Sequence, residues 1–415
     1  MGLGISRTTV TPIAIDFGAA GLKALQLTVG PEPELVAAAT LETPGELLAD
    51  DGERLSFQAN ALPTLLKGAG FKGRRAVCSV SPMHTCAQSV QVQRAQGVSF
   101  RELVWAQLRT ALGRDPDGMI VRHHEVCEIQ RDGQKRSEVL CIAMGREVVS
   151  WHMQALRAAK LDPVGMHSVH LSALRSLDPV TKRADDGEKV TLIVDLGYSA
   201  TNIVFAHGRT PVFAKTVHVG GRTMDQDACA GEKTPDLAAQ RRRRIEHGFA
   251  ADAAPAATTA GAGPAAAELA GAEQSAAAAA GSPLGRLPGV ARGAAEPTEE
   301  PAVATATAPA ESAQPSWAAA IDGIVDEVSM AMRYHQVLFA DRAVDRTIFV
   351  GGEARSVDLC RLIARRLRLA AAVADPLGPL TGPPDAAKRA TNVDVSTRQP
   401  GWATALGLCL ARTDL

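Results

Sequence analysis

Aromatic residues make up only 4% of this 415-residue chain, and neither sign of charge prevails: 44 Lys and Arg face 45 Asp and Glu, a formal net charge of −1. A general nucleic-acid binder carries a basic excess, and a single-strand binder carries aromatic stacking platforms. Both absences argue against nucleic acid as a partner. The seven cysteines, at 78, 86, 127, 141, 229, 360 and 409, are odd in number and form no CxxC pair. So dispersed a set reads as reduced thiols of a cytosolic protein and not as a disulfide frame. No charge-free apolar run reaches the roughly 18 residues that suggest a membrane span, and none is expected.

What is present divides the chain. A hydrophobic share of 46%, raised by alanine, fits a globular protein. The length exceeds the roughly 250–300 residues at which one core stops growing, so two or more domains are expected. Residues 250–315 are Ala, Pro, Gly, Thr and Glu with almost no bulky apolar side chain, including Ala276-Ala277-Ala278-Ala279-Ala280. That composition buries too little surface to offset its ordering entropy and reads as a long disordered insertion within a folded domain.

Periodicity places strands at 12–17, 22–29 and 35–41, a helix at 56–67 and a strand at 76–80. An α+β unit follows at about 89–161. It has a strand near 90–92, a helix at 100–112, strands at 120–130 and 137–144 joined through Asp132-Gly133, and a closing helix at 148–159. The second half repeats the opening: strands at 189–195, 202–206 and 212–219, a helix from Gly221 and another at 236–247. After the insertion come a long amphipathic helix at 317–339, a strand at 346–350 and helices at 356–367 and 401–410.

The repeated part carries the chemistry. Ile13-Ala14-Ile15-Asp16-Phe17-Gly18 and Leu192-Ile193-Val194-Asp195-Leu196-Gly197 are each a strand running into Asp-x-Gly and then a second strand. The strand delivers a carboxylate to the mouth of a cleft, and the glycine lets the backbone turn so that its N–H groups face phosphate oxygens. Two such hairpins can clamp a nucleotide's phosphates while Asp16 and Asp195 hold a hydrated Mg2+. The third element, Thr347-Ile348-Phe349-Val350-Gly351-Gly352-Glu353-Ala354, is a strand, a glycine pair and an early helix. Glycine admits a base and ribose close to the backbone, and a helix N-terminus favours anions. In this order the three elements resemble the nucleotide signature of the actin, Hsp70 and sugar-kinase superfamily.

A narrower resemblance is to PilM, a family of type IV pilus assembly proteins in the FtsA/PilM group of actin-like ATPases. Asp16-Phe17-Gly18-Ala19-Ala20-Gly21-Leu22-Lys23 looks like its first phosphate hairpin, and Asp195-Leu196-Gly197-Tyr198-Ser199-Ala200-Thr201-Asn202 like its second. Val219-Gly220-Gly221 resembles the glycine pair before its helix, and Phe349-Val350-Gly351-Gly352-Glu353-Ala354 with Ala374-Asp375-Pro376 the adenosine motif and trailing strand. The resemblance covers nearly the whole chain except the insertion. It implies an α/β, actin-like (ribonuclease H-like) bilobed fold with an inserted small α+β domain of the 1C type. Lobe I would comprise 10–75, 162–187 and 395–415; the 1C-type domain 76–161; lobe II 188–249 and 316–394; the insertion 250–315. It also implies ATP and Mg2+ in the cleft, with Asp16 and Asp195 on the metal through water. Gly18, Lys23, Gly197, Ser199, Thr201, Asn202, Gly220, Gly221, Gln240, Arg243, Gly351, Gly352 and Glu353 would complete the site. The implied role is a cytoplasmic scaffold, peripheral to the inner membrane, that self-associates into a ring. On its 1C domain it would dock the N-terminal peptide of a PilN-like inner-membrane protein.

The departures bear on activity. Ala19 and Ala20 stand where the family usually has serines, and Ala239-Gln240 with Arg243 where it has Ala-Glu with Lys. Each lost hydroxyl removes a hydrogen bond worth about 1 kcal/mol, so ATPase activity is expected to be slow at best. An FtsA-like division protein usually ends in a basic amphipathic helix, unlike Ala411-Arg412-Thr413-Asp414-Leu415. The type II secretion protein GspL continues into a membrane span, and a small-molecule kinase needs a further carboxylate motif. Elsewhere, the arginine run 241–244 reads as a solvated helix face, and alternation separates His123 from His124 in His123-His124-Glu125. His167 and His170 read as helix-edge residues, and Met330, Met332, Tyr334, Val337 and Leu338 as packing.

Overall fold

The computed structural model describes residues 9–113, 115–131, 133–179, 181, 184–230, 236–248, 317–380 and 389–412. The insertion expected at 250–315, and Asp132 of the expected hairpin turn, lie outside the described residues.

Strands β1 (Ile13–Phe17), β2 (Gly21–Leu27) and β3 (Leu35–Glu42) form an antiparallel meander. Helix α1 (Asp51–Leu66) leads to β4 (Arg75–Val80), parallel to β1. The chain then leaves this sheet to build a smaller one from β5 (Thr85–Val92), β6 (Met119–Arg131) and β7 (Gln134–Gly145), with α2 (Phe100–Leu112) between β5 and β6. Helix α3 (Arg146–Ala158) brings it back to β8 (Asp162–Ser168), parallel to β4, and α4 (Val169–Arg175) leads out. A second meander, β9 (Val190–Leu196), β10 (Thr201–His207) and β11 (Thr210–Val217), follows. Helices α5 (Gly221–Ala228), α6 (Leu237–His247) and α7 (Ala318–Leu338) precede β12 (Arg346–Val350), which lies parallel to β9. Then come α8 (Val357–Leu367) and β13 (Ala371–Val373), parallel to β12. Strand β14 (Ala390–Thr391), within the span expected to belong to the second lobe, pairs in parallel with β3, and α9 (Ala403–Cys409) closes the chain.

The two large sheets are copies of one plan. Their strand orders, β3-β2-β1-β4-β8 and β11-β10-β9-β12-β13, are each a meander whose first strand also pairs with a parallel strand. Alternation along β1 divides its apolar residues between two cores. Ile13, Ile15 and Phe17 meet Leu55 and Leu62 of α1 and Leu156 of α3, while Ala14 meets Ala405 and Leu406 of α9. The second sheet does likewise: Leu192 and Val194 face Ile321, Ile324 and Val328 of α7, and Ile193 faces Ala173 and Leu174 of α4. Strand β7 serves two cores as well. Its Val139 and Cys141 pack with Val104 and Leu108 of α2, and its Leu140 and Ile142 with Ile193, Val204 and Ala214 of the second sheet.

Several boundaries differ from expectation. Helix α1 starts at Asp51 instead of 56, because Asp50 caps it by accepting from the Glu53 N–H. Strand β5 starts at Thr85, and β8, which carries His167, falls where no strand was expected. The strand expected at 374–376 lies at Ala371–Val373. Met330 and Val337, one heptad apart, are 48% and 80% exposed, so they lie on the solvent side of α7 and do not pack. Met332 and Tyr334 do.

Candidate functional site

The first hairpin is fixed from both sides. Asp16, next to last in β1, lies opposite Lys23 of β2, whose Nζ is 3.9 Å from its Oδ2; Ser79 Oγ donates to its Oδ1 at 2.8 Å. From behind, the buried Arg54 donates to the Gly18 carbonyl at 3.3 Å and Gln58 donates to it at 2.8 Å. The turn Gly18-Ala19-Ala20-Gly21 therefore faces the cavity with its backbone held by α1.

In the second hairpin Asp195 sits opposite Asn202, which donates to it through Nδ2 at 2.8 Å. The Gly197 N–H donates to the Ala200 carbonyl at 3.0 Å and closes the turn. The N-terminus of α5 backs it, with Gly221 and Arg222 donating to the carbonyls of Gly197 and Tyr198 at 3.1 and 2.8 Å. Gly220 and Gly221 thus brace the hairpin from outside the cavity. Thr201 is fully buried and donates to the Val219 carbonyl at 2.8 Å.

At the end of β12 the backbone turns through Gly351 at φ +95, and a Cβ there would lie 2.4 Å from the Leu196 carbonyl and 2.5 Å from Asp195 Oδ1. Only glycine fits both conformation and space. Glu353, two residues on, is ion-paired with Arg244 of α6. Arg244 also grips Asp225 of α5 through Nε at 2.7 Å and Nη2 at 3.2 Å, so a buried acid–base cluster ties α5 and α6 to the glycine pair. The expectation of a solvated 241–244 face fails at Arg244, which is 3% exposed because its partners come from other elements. Arg242 and Arg243 are exposed, and Arg241 stacks over Tyr198, 5.5 Å from the ring centre.

These elements enclose one cavity of about 800 Å³. Of the expected residues, Asp16, Gly18, Lys23, Asp195, Gly197, Ser199, Asn202, Gly351, Gly352 and Glu353 line it; Thr201, Gly220, Gly221, Gln240 and Arg243 do not. Gln240 is buried within α6, and Arg241 and Arg244 line the wall where Arg243 was expected. The sequence signal that could have found them is their three-residue spacing, which puts both on one helix face. Gly45 closely approaches Ala238 of α6, bringing the chain after β3 against the second lobe. Burial pushes the Asp195 carboxyl up to about 6; the Asn202 hydrogen bond opposes this, nearby Asp16 adds to it, and Lys23 opposes it. A carboxylate so placed gains from a cation. The donor set fits a hydrated Mg2+ and a phosphate chain, with two acids, Lys23 and glycine-lined backbone on one cavity.

No protein-family model and no curated protein sequence matches this chain. Among solved structures it is similar to the PilM–PilN type IV pilus biogenesis complex, at 17% identity and TM-score 0.65, covering 97% of this chain and 98% of that one. The fold is actin-like. Looser matches are the ethanolamine utilization protein EutJ from Carboxydothermus hydrogenoformans, at 12% identity, TM-score 0.42, and 97% and 89% coverage. The cytoplasmic domain of EpsL, an inner membrane component of the Vibrio cholerae type II secretion system, gives 12%, 0.32, and 53% and 75%. Neither of these two carries weight. Within the actin-like fold the smaller sheet is the inserted unit, and the cavity lies between the two matching sheets. Among the described residues no helix is long and apolar enough to cross a membrane, and no group of three or more metal-ligating side chains occurs. His123 instead packs on Phe100, and Glu125 pairs with Arg94.

Proposed function

We propose that the chain is a nucleotide-binding scaffold of a type IV pilus or related secretion machine, with ATP and Mg2+ in the cavity. The observation that carries this reading is the convergence of both acidic hairpins and the Gly351-Gly352 turn on one cavity. Asp16 and Asp195 would hold the waters of the metal, and Lys23 and the two hairpin backbones would face the phosphates. Gly351 and Gly352 would let the nucleoside approach the backbone. Bound Mg2+ would neutralise phosphate charge. Ala19 and Ala20 present methyl groups to the cavity where hydroxyls would position a phosphate, so binding outlasts turnover and the protein acts by shape.

The likeness to a PilM–PilN complex supports the second half of the reading: a cytoplasmic protein, held at the inner membrane by a PilN-like peptide on its inserted unit and able to assemble with its own copies. Calorimetric titration with MgATP tests the first half. Wild-type protein should bind, and Asp195→Ala should bind at least about tenfold more weakly, as loss of a group paired with a charge implies. Equal binding by both, or none by the wild type, removes the nucleotide.

A further inference from the structure

Behind Asp195 a file of side chains leaves the cavity and ends in α4. Its hydrogen-bond directions follow from the chemistry of each group. Asn202 donates through Nδ2 to Asp195 Oδ2 at 2.8 Å, so its Oδ1 is the acceptor that Thr216 Oγ1 reaches at 3.0 Å. The Thr216 hydroxyl has one hydrogen, already directed to Asn202. It can therefore only accept from His170 Nε2, 2.9 Å away. The ring must carry its hydrogen on Nε2, which leaves Nδ1 bare. That Nδ1 is buried without any hydrogen-bond partner. Three donors in series thus point the same way, toward the carboxylate, an arrangement in which each bond polarises the next.

The far end of the file is the informative part. His170 is fully buried, and burial pushes its pKa down to about 4, so the ring is neutral at physiological pH. A leucine there would avoid the unpaired nitrogen, so packing alone does not account for a histidine. Its helix lies between the lobes. Ala173 and Leu174 of α4 pack on the second sheet, while the Ser172 carbonyl abuts Gly407 of α9, whose own apolar face covers the first sheet.

We propose that His170 is a positioning residue: through Thr216 and Asn202 it aims Asp195 into the cavity, and it ties that aim to α4, so that occupancy of the cavity and the packing of the two lobes are coupled. The coupling to ligand rests on the nucleotide reading above; the aiming does not.

Two measurements on the full chain separate them. Nitrogen-15 NMR of histidine-labelled protein at neutral pH should show His170 as the Nε2–H tautomer, and His170→Leu should shift the Asn202 side-chain amide. An Nδ1–H tautomer, or an unmoved amide, overturns the relay whatever the nucleotide does. In MgATP titrations His170→Leu should weaken binding by about tenfold while the ligand-free melting temperature holds or rises. His170→Gln, which can place a donor near the former Nε2, should stay within about twofold of wild type. Two variants that bind like wild type, or that weaken equally, overturn the coupling. Should wild-type protein ignore MgATP while the NMR result holds, the nucleotide reading falls and the aiming of Asp195 stands.

Discussion

His335 of α7 stacks on Phe205, with ring centres 4.8 Å apart, and its Nε2 lies 2.9 Å from Nε2 of His207. Burial first, then the neighbouring His207 and Arg342, push its pKa down to about 4. The sign of the consequence is fixed. The unfolded chain takes up this proton near pH 6.5 and the folded one near 4, so the contribution is full above about pH 6.5 and lost as pH falls toward 4. His335→Phe keeps the stack and has no proton to gain. Between about pH 7 and pH 4 the wild type should lose about 3 kcal/mol more stability than the variant, read from denaturant midpoints; parallel losses would show that His335 does not titrate this way. Residues of this kind are where reading the sequence stops. Asp16, Asp195 and Gly351 announce themselves by local pattern, each within one residue of a strand's C-terminal end. Arg244 does not, because Asp225 and Glu353 stand 19 and 109 residues away and only the fold makes it a buried ion. His170 is hidden for the same reason: Thr216 lies 46 residues on.

At the scale of elements, the crossing of α4 and α9 is the tightest contact in the described residues to which a glycine contributes. A Cβ on Gly407 would sit 1.8 Å from the Ser172 carbonyl oxygen, a backbone atom that cannot rotate aside. Gly407→Ala must part the two helices, and with them the cores on the inner faces of both sheets. The expected loss is about 3 kcal/mol, seen as a lower urea midpoint at unchanged slope; a shift of a few tenths would mean that the helices separate freely. Elements with their own apolar period, such as α2 and the two meanders, were legible, and so was the repeat that pairs the hairpins. Helix α4 is seven residues long, too short to display a period, and β8, Asp162–Ser168, contains a proline and a glycine that speak against a strand.

At the scale of the whole molecule, a polar contact between described residues joins the inserted unit to the second lobe across 196 residues of sequence. Tyr334 of α7 donates to Glu138 of β7 at 2.5 Å, and Glu138 is fully buried, its carboxyl pushed up chiefly by that burial. Tyr334→Phe and Glu138→Gln should each destabilise, and their double mutant should fall short of the sum by about 1–2 kcal/mol, the signature of a direct pair. Strict additivity in thermal melts would separate the two units energetically.

Strand β7 has no idle face. Its odd residues from Val139 belong to α2 and its even ones to the second sheet, so sliding it by a single position would turn each hydrophobic set onto the core shaped for the other. It is a splice, not a joint. A protein that grips the rim of the small unit has no slack to take up before the floor beneath the second hairpin feels the pull.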